Sequence, residues 1–143
     1  MERTVAGILA EKGTEVFSVA PGTRVYEALR LMAERDVGAV VVLEADRLVG
    51  IMSERDYARK VILRDRTSRQ TRVEEIMTSE VITVAPTTTV GECMELMTDH
   101  RVRHLPVVDR GSLVGLVSIG DVVRAVISQQ EALIEQLERY ITS

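Results

Sequence analysis

The chain is short of the residues that stack and cross-link: its 143 residues include no tryptophan, one phenylalanine and one cysteine. The aromatic platforms on which single-strand binders stack bases are therefore missing, and a net charge of −4 gives a nucleic acid backbone no electrostatic hold. Cys93 stands alone, which excludes an internal disulfide. With Val90, Met94 and Met97 at helical spacing around it, packing is its expected role. No apolar run approaches the roughly 18 residues of a membrane span, and the opening MERTVAGILAEKG has neither the apolar stretch nor the cleavage site of a signal peptide. A cytoplasmic protein without a membrane or nucleic acid partner is expected.

What is abundant is aliphatic: 45% of residues are hydrophobic beside 28% charged, the balance of a globular domain. The chain also contains one pattern twice. VFSVAPGTRVYEALRLMAERDVGAVVVLEADRLVGIMSERDYARKV, from Val16, recurs 65 residues later without a gap as VITVAPTTTVGECMELMTDHRVRHLPVVDRGSLVGLVSIGDVVRAV. Units this short are marginal alone, so the two are expected to share an interface and to form one pseudo-twofold body.

Each copy reads as strand, helix, strand, strand, helix. The segments Val16 to Val19 and Val81 to Val84 are β-branched and stop at Ala-Pro. Thr89 and Glu92 have capping-box spacing ahead of the stripe Val90, Met94, Met97; the first copy has Arg24 in place of Thr89, leaving Thr23 as the candidate cap. Val40 to Leu43 with Leu48 to Met52, and Leu105 to Val108 with Leu113 to Val117, predict two hairpins. The expected class is α/β (α+β), as two β-α-β-β-α repeats packed into one module.

Segments outside the repeat complete the division. Thr4 to Lys12, closed by Gly13, predicts a short capped helix, and Thr71 to Met77, with Thr71 and Glu74 spaced as a capping box, predicts its counterpart. The expected units are 4–63 and 71–128, each led by its short helix, with a solvated linker at 64–70 and a C-terminal helix at 129–143. That last helix carries Leu133, Leu137, Tyr140 and Ile141 on one face with Ile134 adjacent, a stripe that packs on its own chain or on a second subunit.

The strongest local signal is GIMSERD at Gly50 to Asp56, echoed by GLVSIGD at Gly115 to Asp121. Two readings fit. In one, Ser53 and Ser118 are N-caps and Asp56 and Asp121 their capping-box acids. In the other, the helix start and the serine hydroxyl hold a phosphate while the carboxylate accepts from ribose hydroxyls. Gly50 and Gly115 either admit a ligand closely or relieve crowding. His100 and His104 lie four apart, but a helix end between them directs the imidazoles away from each other, and no metal site is expected.

Taken whole, the TVAP-like strand end, the EALRLM and ECMELM helices, the HRVRHLPVVD strand and the GxxSxxD helix start resemble a pair of cystathionine-β-synthase (CBS) domains, a Bateman module of the stand-alone bacterial type. The resemblance covers about residues 4 to 128. It implies adenosine-containing effectors such as AMP, ATP or NAD(H), bound in clefts between the repeats, with no catalytic cofactor. Carried over, Asp56 and Asp121 hold ribose and Ser53 and Ser118 contact phosphate. Val19, Thr83 and Val84 line adenine with Gly38, Ala39, Val40, Leu105 and Pro106. Where the first copy has Gly38, Ala39 and Arg55, the second has Arg103, His104 and Gly120, so the two sites should differ at the phosphate; Arg55, Arg103 and His104 are also explicable as ordinary surface residues.

The function implied is a non-enzymatic regulator that reports energy or redox state by conformational change or oligomerisation, as a homodimer or through a regulated protein in trans. No general acid, base or nucleophile accompanies the motif. A structural or dimerisation module with vestigial clefts is the competing reading.

Overall fold

The structure, a computed structural model, describes residues 2–142. In chain order its elements are α1 (Val5–Lys12), β1 (Ser18–Val19), α2 (Val25–Arg35), β2 (Ala39–Glu44), β3 (Arg47–Ser53), α3 (Glu54–Lys60), α4 (Val90–His100), β4 (His104–Asp109), β5 (Ser112–Ser118) and α5 (Ile119–Thr142). Short 3-10 turns lie at Ile62–Arg64 and Val73–Glu75. The mixed α/β class expected from the repeat is the one observed.

The chain forms two units whose limits differ from 4–63 and 71–128. One spans Glu15–Val81; the other joins Met1–Thr14 to Ile82–Ser143. Each leading segment therefore sits not with the repeat that directly follows it but with the other one. The cause is apolar: Val5, Ile8 and Leu9 enter the core of Val84, Val90, Met97, Leu105, Val107, Val117 and Val122. Val73 and Ile76 enter the core of Val25, Met32, Val40, Val42, Met52 and Val61.

The same backbone devices hold both segments. Val73 N–H donates to the Thr23 carbonyl at 2.8 Å and Val5 N–H to the Thr88 carbonyl at 2.8 Å. Val25 N–H donates to the Thr71 carbonyl and Val90 N–H to the Arg3 carbonyl, at 2.8 and 2.9 Å. The first turns of α2 and α4 thus lean on these segments for acceptors.

In the 15–81 unit the strand order is β1-β2-β3, with β1 parallel to β2 and β3 antiparallel to it. In the other unit β4 and β5 pair antiparallel, and the β1 equivalent shrinks to a single parallel bridge, Val84 with Val107. Both hairpins turn through two residues of positive φ, Ala45 and Asp46 in one and Arg110 and Gly111 in the other, the twist that suits a tight hairpin. Cys93 is buried, and burial together with the Glu92 charge pushes its thiol up to about 11, so it packs and stays protonated at neutral pH.

Several local expectations are corrected. The Thr71 side chain caps nothing: its hydroxyl donates to the Thr67 carbonyl at 2.7 Å, and only half of a box forms one residue later, where Arg72 N–H donates to the Glu75 carboxylate at 2.6 Å while the guanidinium has no acceptor to complete it. Thr23 does not cap α2 but accepts from Ala20 N–H at 3.1 Å, stapling the Ala-Pro turn. The cap expected at Thr4 is also absent, since Thr4 makes no side-chain cap bond. Thr89 and Glu92 form the expected box, Glu92 N–H donating to the Thr89 hydroxyl at 3.1 Å. Residues 64–70 are more than a solvated linker. The Ser68 carbonyl accepts from Tyr26 N–H at 2.9 Å, and Arg69 stacks 4.0 Å over the Tyr26 ring.

Candidate functional site

Each hairpin delivers its second strand into a helix through a serine. Ser53 ends β3 and Ser118 ends β5, both with extended neighbours behind and a helix ahead. At the first junction Asp56 N–H donates to Ser53 Oγ at 3.2 Å, while Asp56 Oδ2 accepts from Ser53 N–H at 2.9 Å and from its hydroxyl at 3.1 Å. At the second, Asp121 N–H donates to Ser118 Oγ at 3.3 Å and Asp121 Oδ2 accepts from Ser118 N–H at 2.8 Å. Both are capping boxes, so the motif's first role is to start a helix.

Beyond the box the junctions diverge. Asp56 Oδ1 meets Lys60 Nζ at 3.2 Å, one helical turn on, and that lysine also donates to the Ile76 carbonyl at 2.9 Å. Asp121 is held by two cations: Lys12 of α1 at 2.6 Å on Oδ2 and Arg124 at 2.7 Å on Oδ1. Lys12 further donates to the Leu116 carbonyl of β5 at 2.9 Å. Burial opposes ionisation of Asp121. The hydrogen bonds from Lys12 and Ser118, with the Lys12 charge, outweigh it and hold the carboxyl below its ordinary value. A cavity of about 260 Å³ opens beside Lys12, Asp121 and Arg124, between α1 and α5.

The glycines of the motif serve packing. A Cβ on Gly50 would stand 2.5 Å from Met77 Sδ, and one on Gly115 2.8 Å from a Leu9 methyl. Of the two expectations for them, relief of crowding is realised, and the crowding comes from the leading segments. Gly120 differs: its nearest neighbours would be 3.5 Å or more from a Cβ.

The other candidate residues fall into three groups. Ala39 pairs with Ser53 across the hairpin and His104 with Ser118. The carbonyls of Gly38 and Arg103 accept the first helical N–H, from Glu54 at 3.1 Å and from Ile119 at 2.8 Å. Gly38, Ala39, Arg55 and Asp56 therefore gather at one helix start, and Arg103, His104, Gly120 and Asp121 at the other. Val40, Leu105 and Pro106 are buried, the first two in the cores. Val19 pairs with Val42, three residues along β2 from Ala39 and two strands from Ser53, so roughly 14 Å separates it from the junction of its own unit. Val84 occupies the same place in the other unit, with Thr83 exposed beside it.

Two residues of the junctions were missed by sequence reasoning, Lys12 and Lys60. Lys60 had a signal, a cation four residues after an acid on a helix. Lys12 had none, being 109 positions from Asp121. Among the described residues no cluster of His, Cys, Asp and Glu has metal-binding geometry, and no helix is long and apolar enough to cross a membrane.

Comparison with known proteins gives these junctions relatives. The family model described as CBS domain matches residues 12–63 and 73–128. A CBS-domain protein of Burkholderia ambifaria MC40-6, named for signal transduction, is 53% identical, with a TM-score of 0.86 over 89% of this chain and 96% of that one. The mitochondrial CBS domain-containing protein CBSX3 of Arabidopsis thaliana is 48% identical over 122 residues, 82% of this chain, which spans 59% of that relative's length. YhcV of Bacillus subtilis, also CBS domain-containing, is 35% identical over 83% of this chain and 84% of its own.

Proposed function

The chain belongs to the CBS-domain family, as two domains in tandem, and from that premise we propose that its Ser-x-x-Asp junctions bind the ribose and phosphate of adenine nucleotides, AMP, ATP or NAD(H). The observation that carries the reading is the pair of equivalent helix starts, each combining a carboxylate acceptor, a serine hydroxyl and a cation. Ribose hydroxyls are donors that suit Asp56 and Asp121; a phosphate suits Ser53 and Ser118 with Lys60 or Lys12 and Arg124. Gly38 and Ala39, or Arg103 and His104, border the same space, while Arg55 and Gly120 set the phosphate side apart. Val19, Thr83 and Val84 remain the candidates for adenine.

The protein is then a non-enzymatic cytoplasmic regulator whose occupancy shifts a conformational or oligomeric equilibrium, through a homodimer or a regulated partner. Thermal unfolding with AMP, ATP and NADH tests this. A ligand at 100 times its Kd should stabilise the fold by about 2.7 kcal/mol. Asp56→Ala and Asp121→Ala, folded by circular dichroism, should each reduce the shift. No stabilisation by any of the three overturns the reading.

A second reading has its own support. Both carboxylates are already engaged by box and lysine, as a purely structural module requires. It predicts that both Asp→Ala variants lower stability and leave every nucleotide without effect.

A further inference from the structure

The start of α2 gathers arginines that its fold does not require. Residues 64–72 hold four arginines against one aspartate, in a chain of net charge −4. Two of the four come to rest beside Arg24. Arg24 faces Arg72 across an antiparallel bridge, and its guanidinium donates to the Arg69 carbonyl at 2.7 Å. The Arg72 guanidinium donates to the Gly22 carbonyl at 2.7 Å, and that of Arg69 lies 4.0 Å over the Tyr26 ring. All three arginines are exposed.

Residues opposed across an antiparallel bridge carry their side chains to one face, where like charges are destabilising. The other unit builds the same bridge without them. There Thr4 faces Thr89, and the flanking backbone bonds match: Val25 to Thr71 and Val73 to Thr23 in one unit, Val90 to Arg3 and Val5 to Thr88 in the other. Arg24 and Arg72 therefore stand where two neutral threonines suffice. Where Tyr26 N–H meets the Ser68 carbonyl, Gly91 N–H meets the Glu2 carboxylate. This corner is cationic in one unit and not in the other.

The three charges are also uncompensated. Arg3, Arg30, Arg124 and Arg139 each have a carboxylate within 3.5 Å. Among the described residues Arg24, Arg69 and Arg72 have none, since Glu75 serves the Arg72 N–H at 2.6 Å and the Arg66 guanidinium at 4.0 Å instead. Each guanidinium is aimed by one carbonyl or by the ring and keeps further N–H donors for a planar acceptor. We propose that Arg24, Arg69 and Arg72 form a docking site for a short acidic segment of a partner protein, whose Asp and Glu carboxylates take these forked donors. Charge complementarity selects the class. Exposed Glu27, Glu74 and Glu75 flank the cluster along the chain and would repel a continuous phosphate backbone, and Arg69 already covers the ring on which a base could stack. Docking here does not depend on nucleotide at the serine junctions.

Fluorescence anisotropy of a labelled oligo-glutamate peptide with the full chain reads the result. The peptide should bind, more weakly as salt rises. Arg69→Gln, which gives up no backbone bond, should weaken binding about tenfold. Arg24→Thr with Arg72→Thr, copying the other unit, should abolish it with circular dichroism and unfolding midpoint retained. Arg30→Gln and Arg139→Gln, at exposed arginines already paired, should change nothing. No binding by the wild type overturns the proposal, as does an equal loss in every arginine variant, which means bulk attraction alone. If the double threonine variant unfolds, Arg69→Gln still decides, and unaltered binding there overturns it. An oligonucleotide of equal charge bound more tightly than the peptide would assign the patch to nucleic acid and equally overturns it.

Discussion

Asp56 and Asp121 occupy equivalent places in the repeat and close equivalent capping boxes, yet they are secured differently. Asp56 takes its lysine from its own helix, four residues on. Asp121 takes one from α1, across more than a hundred residues, and adds Arg124. The box is a local device, fixed by Ser-x-x-Asp alone, and so it recurs. The cation comes from outside the motif, from Lys60 of the same helix in one copy and from Lys12 of α1 in the other, and so it does not. Divergence between the duplicated sites has entered here around the motif rather than within it.

The largest effect should come from that packing. Gly115→Ala drives a methyl to within 2.8 Å of Leu9, and Gly50→Ala drives one to within 2.5 Å of Met77 and 3.2 Å of the Thr78 carbonyl. Each should cost about 1–3 kcal/mol in denaturant unfolding. Leu9→Ala combined with Gly115→Ala should cost less than the sum of the two. Strict additivity would mean that Leu9 and Gly115 do not share that space.

A smaller difference should separate the carboxylates. Asp56→Ala should cost about 1 kcal/mol, the loss of a helix-start box, while Asp121→Ala should cost about 2, because Lys12 and Arg124 lose their partner as well. Equal midpoint shifts would erase the distinction between the two units.

The repeat made much of this legible. The hairpins, the serine caps and the Thr89 box follow from short-range patterns whose physics is local. What escaped was long-range. Val5, Ile8 and Leu9 show a helical apolar pattern but not which core receives it, and proximity in sequence suggested the wrong neighbour. Arg24 carried no capping signal because the acceptor for Val25 N–H is a backbone carbonyl 46 positions away, at Thr71. The role of Gly50 and Gly115 is set by Met77 and Leu9, distant residues that fill the space a side chain would take.

The subtlest expected effect concerns acid. Because Asp121 has its carboxyl held below the ordinary value in the folded chain, its contribution to stability is present above the unfolded value of about 3.9 and is lost as pH falls through the folded one. Lys12 supplies both a hydrogen bond and a charge to that effect, against the opposing push of burial. Lys12→Met removes both and leaves burial opposed by the Ser118 hydrogen bonds and Arg124, so the carboxyl should titrate at higher pH. The acid limb of the stability curve should then begin closer to neutrality than in the wild type. Carbon-detected titration of Asp121 and urea midpoints between pH 3 and 7 would read both changes. An unmoved Asp121 titration would mean that Arg124 and the box suffice, and that the long-range lysine is not what distinguishes this junction from its repeat.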